Sequence, residues 1–341
     1  MPVTPIESNV GLFAQAKQLA LGTPTAANHA SVKRLRLVDG GLKAVKEIDT
    51  EPYIDGQVFP DATPFVTRLG GDAGSVSVQA QTTSGAFLFA QVIGADVVTG
   101  STDPWTHTIS SGNLQGAYQT MWQQTGSSSP INTRFSDALV SKLTWRVGQD
   151  QKVARITQDV RAIKTATWVT TMPTAPDEGN DPYLWSEVVG QVSIGGTVMA
   201  EADGETMEID RKLDDHLGDN PAPVAFVPTA GEITRSVSAI VSNNTLPEIK
   251  QALWGSATPT DGTELSASIR QIALNTKYVR SASRSIEIQT PKVIVDLGDF
   301  DFSPSPDGGK LSVSFGGRCR PDGGTPAVTV IAKTGDTAAY V

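Results

Sequence analysis

The sequence predicts an all-β protein, mainly strands with one short helix per repeat, built as two tandem β-sandwich or β-barrel domains with long hairpins. Three observations predict it. Runs that alternate apolar and polar residues recur along the chain. Gly and Pro, 32 and 21 of 341 residues, interrupt these runs with turns. A stretch of the chain also matches itself at an offset of 161 positions. The apolar fraction of 39% and the charged fraction of 18% suit a folded chain and not a disordered one.

Taken in order, residues 1–21 allow two readings. Leu12, Ala16 and Leu19 fall on one helical face, or the segment is an arm that orders on a neighbour. Lys33-Arg34-Leu35-Arg36 alternates like a strand. At offset 161, Glu47-Ile48-Asp49 meets Glu208-Ile209-Asp210, Pro60 meets Pro221, Phe65-Val66 meets Phe226-Val227, and Gly70 meets Gly231. Ser75-Val76-Ser77 then meets Ser236-Val237-Ser238, and Gly94 meets Gly255. Eleven of the 49 positions from 47 to 95 are identical without a gap, enough to ask whether the local physics repeats as well.

It does. Val76, Val78 and Ala80 share one strand face, as Val237 and Ala239 do in the second copy. A polar turn follows each, then a short helix. In the second, Thr245 is the expected N-cap, Glu248 completes a capping box and Pro247 sits in the first turn, where it forfeits no intrahelical bond. Leu88 with Val92, and Ile249 with Leu253, give each helix an apolar side, and Gly94 and Gly255 are placed to end them.

Beyond the helices, residues 105–109 read as a strand. Leu139 to Val147 and Ala154 to Val160 form a hairpin about the Gly148-Gln149-Asp150 turn. The Pro- and Gly-rich stretch 171–182 reads as a linker between domains at 22–170 and 183–341. In the second domain Ile286 and Ile288, then Val293, Val295 and Leu297, then Leu311, Val313 and Phe315 mark strands, with a turn cluster at 304–309 and a last strand near 327–332.

The net charge is −9 and the pI about 4.9, which argues against a surface that grips nucleic acid, since such binding draws on concentrated Lys and Arg. The one dense basic run is the strand-like 33–36. A single cysteine, Cys319, excludes an internal disulfide and reads as a small buried residue. The start of the chain lacks a signal-peptide pattern, and no apolar stretch approaches the ~20 residues of a membrane-spanning helix. Synthesis in the cytoplasm without membrane association is the expectation.

Chemistry is hard to place. His29, His107 and His216 lie in no catalytic pattern. Asp214-Asp215-His216 could suggest a metal cluster, but neighbours on a strand point to opposite faces. Asp299 and Asp301 share a face around Phe300 and read as a charged outer strand surface. The run Asp307 to Ser312 lacks the glycine spacing of a phosphate loop. Asn243-Asn244-Thr245 matches a glycosylation sequon without a secretory context. Tryptophans 105, 122, 145, 168, 185 and 254 are dispersed, as core or interface residues would be. No catalytic, cofactor-binding or metal-binding residues are predicted, and the chain is read as not an enzyme.

The order of features resembles the phage tail tube (major tail) proteins of long-tailed phages. The run from Gly74 to Gly94, the strand from Pro104 to Ile109, the segment from Phe135 to Thr144 and the pattern from Arg284 to Pro291 are similar to that family's successive elements. The resemblance covers most of residues 40–335 by layout and not by a strict motif. It implies a virion subunit whose rings stack head-to-tail into a tube, with long hairpins lining a channel that DNA crosses without specific binding. It also implies contact with other tail proteins, the tape measure and terminator.

Two tube-like units in one chain imply a trimer with pseudo-sixfold symmetry, or else a hexamer. Loops at 96–103, 126–130 and 255–262 are candidates for ring-to-ring contacts. The alternatives are another virion, baseplate or secretion-tube component, or a carbohydrate- or receptor-binding β module.

Overall fold

The computed structural model describes residues 11–52, 62–111, 117–126, 130–164, 166–174, 180–188, 191–217, 221–297, 300 and 310–341. The first half runs β1 (Gly11–Lys17), β2 (Lys33–Leu35), β3 (Leu37–Leu42), β4 (Lys46–Pro52), β5 (Ala62–Leu69), β6 (Gly71–Gln79) and α1 (Gly85–Ile93). It continues through β7 (Asp96–Thr99), β8 (Trp105–Ser110), β9 (Gln119–Thr125), β10 (Ile131–Gly148), β11 (Arg155–Ala162) and β12 (Thr167–Trp168). The second half runs β13 (Val192–Ile194), β14 (Thr197–Val198), β15 (Ala202–Asp210), β16 (Leu213–Leu217), β17 (Pro223–Pro228), β18 (Glu232–Ile240) and α2 (Leu246–Trp254). It ends with β19 (Gln271–Ser281), β20 (Arg284–Ile294), β21 (Ser312–Arg320) and β22 (Thr329–Thr334).

These strands build two packed antiparallel sheets. The first has the order β3–β6–β11–β10–β15–β18–β21. Strand β10 is long enough to serve twice. Its second half lies between β11 and β15, while its first half pairs with β9, which leads on to β1 and β2. The second sheet has the order β14–β13–β19–β20–β22–β8–β7. A short pairing of Lys292 and Val293 with Arg320 and Cys319 stitches the two together. Among the described residues no ladder returns on itself, so the arrangement is an open sandwich. Strands 22–170 and 183–341 share both sheets, through β10–β15 in the first and β8–β22 in the second.

Helix α1 is wedged between the sheets, against β10 on one side and β8 and β22 on the other. Its sequence, GAFLFAQVI, carries no charge and is apolar nearly all round, so all nine residues are buried. Helix α2, LPEIKQALW, is amphipathic and buries only Ile249 fully. Both end at a left-handed glycine, Gly94 at φ 86° and Gly255 at φ 73°, where a Cβ would be strained. Thr245 is the N-cap position of α2, but the expected capping box does not form. Its hydroxyl accepts from the Ser242 N–H, and Glu248 turns to Arg270 at 2.9 Å.

The spans of β6 and α1 recur as β18 and α2 shifted by 161. Ahead of them the shift is different. Leu42 pairs with Gly74 and Met207 with Arg235, so the strand before each ribbon is displaced by 165. The four extra positions are absorbed because nine residues connect β4 to β5 and only five connect β16 to β17. Glu47-Ile48-Asp49 therefore lies in a ribbon and Glu208-Ile209-Asp210 in the first sheet, and their identity does not mark equivalent places. Gly11–Lys17 is a strand held by β9 and β2, not a helix, because Leu12, Ala14 and Ala16 face the Trp122 side while Phe13 enters the main core.

One buried ion pair ties the sheets together. Arg235 of β18 is fully buried and donates to Glu205 of β15 at 2.8 Å, to the Leu274 carbonyl at 2.8 Å and to the hydroxyls of Thr276 and Thr290. Glu205 also accepts from the hydroxyls of Thr276 and Tyr278. Burial, reinforced by that carboxylate, raises the Tyr278 phenol well above its ordinary range, so it stays a donor. Removing the cation alone strands a carboxylate in the core. Arg235→Met is expected to cost about 3–5 kcal/mol in urea unfolding of the unassembled chain, and replacing Glu205 by Met as well should recover much of that loss.

Candidate assembly interface

The outward face of the first sheet is polar across all its central strands, because the inward positions take the apolar residues and period-two alternation sends the rest to solvent. One cross-strand row reads Ser77, Thr157, Thr144, Glu208, Thr234, Arg318. The next reads Ser75, Asp159, Lys142, Asp210, Glu232. Lys142 meets Glu208 at 2.9 Å, and that carboxylate, with Asp159 and Asp210 behind it, raises the lysine pKa. The cation is thus already neutralised by acids of its own sheet. Short hydroxyl side chains and internally paired charges fill these two rows, while in the row beyond them Arg146 and Arg155 meet across the strands with both side chains exposed.

Both ends of the sheet are open. Among the described residues β3 pairs only with β6, and β21 pairs with β18 but meets β20 only at its last two positions. The Val241 N–H donates to the Leu311 carbonyl at 2.8 Å, so the alternation turns the N–H groups of Ser312, Ser314 and Gly316 away from β18. On β3 the side-chain amide of Gln123 brackets Leu42, accepting from its N–H at 2.7 Å and donating to its carbonyl at 3.3 Å. Edges of this kind attract further strands unless covered.

Two ribbons project from the sheet, β4–β5 and β16–β17. The second is lashed to the body. Asp215 takes Arg68 of β5 and Arg161 of β11, Arg161 lies over the Phe226 ring at 5.3 Å, and the Leu69 N–H donates to the Pro221 carbonyl at 2.9 Å. Leu213 and Phe226 pack with Leu139 and Ile163. The outer surfaces are apolar nonetheless, with Ile48 58%, Phe65 46%, Leu217 56% and Val224 51% exposed. A two-stranded ribbon is too thin to bury such residues itself, so they stay open to solvent on the single chain.

The residues singled out in the sequence do not converge. His29 is exposed beside Ser31, His216 is exposed on β16, and His107 is buried at the far side of the molecule between β7 and β22. Asp215 spends its charge on two arginines, and no group of three or more His, Cys, Asp or Glu suited to a metal occurs among the described residues. Asp299, Asp301 and residues 304–309 lie outside the described residues, as do 1–10, 127–129 and 175–179. Of the loop expected at 96–103, residues Asp96–Thr99 are strand β7, whose valines pair along β8. Trp122 and Trp145 are core, Trp185 is buried, and Trp168 is 61% exposed. The ribbons carry a weak sequence signal because their short alternations are interrupted by Asp, Glu and Pro; the shared Phe-Val pair is the cue they offer.

Cys319 is buried at the seam between the sheets, and burial pushes its thiol up to about 12. In the folded chain at pH 8 it should not react with a disulfide reagent over hours, and it should react fully in denaturant; rapid native labelling would contradict this placement.

None of the curated proteins matches the chain. A family model described as "Phage tail tube protein" matches residues 8–260, a span that takes in the β10–β11 hairpin, both helices and the β10–β15 junction and ends before β19. An open two-sheet β fold with exposed edges, a polar sheet face and that match lead to one statement: the chain belongs to the phage tail tube protein family, a structural component of the phage tail.

Proposed function

We propose that this chain is the repeating subunit of a tail tube, in which copies form rings that stack around a channel for DNA. The observation that carries the reading is the seven-stranded first sheet, polar on its outward face and, among the described residues, paired on one side only along β3 and most of β21. The strand–ribbon–strand–helix order of β3 to α1 returns in β15 to α2, and the two stretches are read as copies of one unit, domain 22–170 and domain 183–341 about a linker at 171–182. Within the chain the first unit hands its sheet to the second where β10 pairs with β15. Because β15 occupies in the second unit the place of β3 in the first, and β21 that of β11, a handover between chains one strand earlier than the one at β10 brings the β3 end of one copy to the β21 end of another.

Three chains then supply six units to a ring, a trimer with pseudo-sixfold symmetry. A ring of six chains is the second arrangement that the open edges allow. The outward face of the first sheet lines the channel in either, and the hydroxyls and self-neutralised charges of the rows through Thr144 and Lys142 favour passage of DNA over holding it. Stacking is a head-to-tail contact that does not close, which yields a filament ended by other tail proteins. The chain needs no catalytic residue, metal or cofactor for this role.

The test uses the β21 edge. Ser314→Pro removes an N–H that β18 does not use, so the fold should survive while ring closure fails. Negative-stain images of purified wild type should show tubes, and the variant should remain a folded, unassembled particle by circular dichroism and light scattering. Tubes of unchanged diameter from the variant, or a wild type that stays monomeric at every concentration, would contradict the reading.

A further inference from the structure

His107 lies in β8 between β7 and β22 and is fully buried. Each of its ring nitrogens faces an oxygen that can only accept. Nδ1 is 2.9 Å from Asp96 Oδ2, an atom that also accepts the backbone N–H of Tyr340 at 2.9 Å. Nε2 is 3.0 Å from the backbone carbonyl of Asp336. A neutral imidazole has a single N–H, and either tautomer would set a bare lone pair against one of these oxygens. We propose that His107 is held as a buried imidazolium, and that this charge is the clasp that fastens the C-terminal segment 335–341 to the sandwich and releases it as the pH rises.

The rest of the segment's attachment is arranged around that ring. Tyr340 stacks on His107 with centroids 4.4 Å apart and planes at 14°, and it meets Phe87 of α1 edge-on at 5.7 Å. Its hydroxyl donates to Asp336 Oδ2 at 2.6 Å, and its carbonyl accepts from Gln91 of α1 at 3.0 Å. A cation against an aromatic face, out of water, is a favourable pairing that the neutral ring lacks. The charged and titratable neighbours are few. β7 contributes Asp96, the segment contributes Asp336 and Tyr340, and Lys33 of β2 and Arg284 of β20 act on Asp336. Helix α1 offers no ionisable side chain there, and Lys333 of β22 is exposed.

Burial acts to lower the His107 pKa, but the hydrogen bonds to Asp96 and to the Asp336 carbonyl outweigh it, and the net shift is upward. A raised folded-state value means that the contribution is complete below the ordinary histidine range and is lost as pH rises through the folded value. The clasp is internal to one chain, so it stands or falls separately from the tube assembly.

The experiment measures hydrogen exchange of the Tyr340 amide in the full chain from pH 6 upward, corrected for the intrinsic rate, with the α1 amides as reference. Protection at Tyr340 should fall by about tenfold or more through the titration while α1 stays flat, and His107→Gln should show low, pH-independent protection at Tyr340. Nitrogen NMR of histidine-labelled wild type at pH 6.5 should show both ring nitrogens of His107 protonated, a reading that holds even if the variant does not fold. One bare ring nitrogen at that pH, or Tyr340 protection unchanged up to the pH where the whole chain unfolds, would overturn the proposal.

Discussion

Backbone N–H and carbonyl groups along an open sheet edge must find partners, and the first sheet carries both of its ends, β3 and β21, to the surface. Inside the chain the same need is met at β10, whose second half takes β11 on one side and β15 on the other. Seven strands from both halves thereby become one continuous surface. The polar face, the projecting ribbons and the unpaired ends all follow from that continuity. A chain that divided into two closed barrels would have had neither open ends nor a shared face.

The two stretches with the same plan are filled differently. In the first, an uncharged helix is swallowed between the sheets, and β6 has Gly74 at the position where β18 has Arg235. In the second, α2 stays at the rim, and Arg235 and Glu205 span the gap between sheets with a satisfied ion pair. A common backbone layout has thus been stabilised once by apolar burial and once by a polar network. The second solution depends on every partner being present, since a half-satisfied buried pair is worse than none.

Much of this was legible in the residues. Alternation gave β6, β8, β10, β11 and the strands around Ile286 and Val313, because one face of each is buried and the pattern is strong. The glycine stops marked both helices, since only a residue without Cβ tolerates φ 86° or 73° cheaply. Less legible were features set by tertiary pairing. The Glu-Ile-Asp match misaligned the strands ahead of the ribbons, because sequence identity cannot see a hairpin shortened by four residues. Strand β1 carries helix-compatible spacing, and β9 and β2 on either side decide for strand. His107 looked like one more strand residue; its significance lies in Asp96, Asp336 and Tyr340, of which two come from the far end of the chain.

The most direct measurement of the central claim is a cryo-electron microscopy reconstruction of tubes assembled from the full chain. Six pseudo-equivalent units per ring supplied by three chains are expected, with the row from Ser77 to Arg318 facing the channel and the β3 and β21 ends buried between neighbours. A tube in which that row faces outward, or in which both ends stay open to solvent, would contradict it.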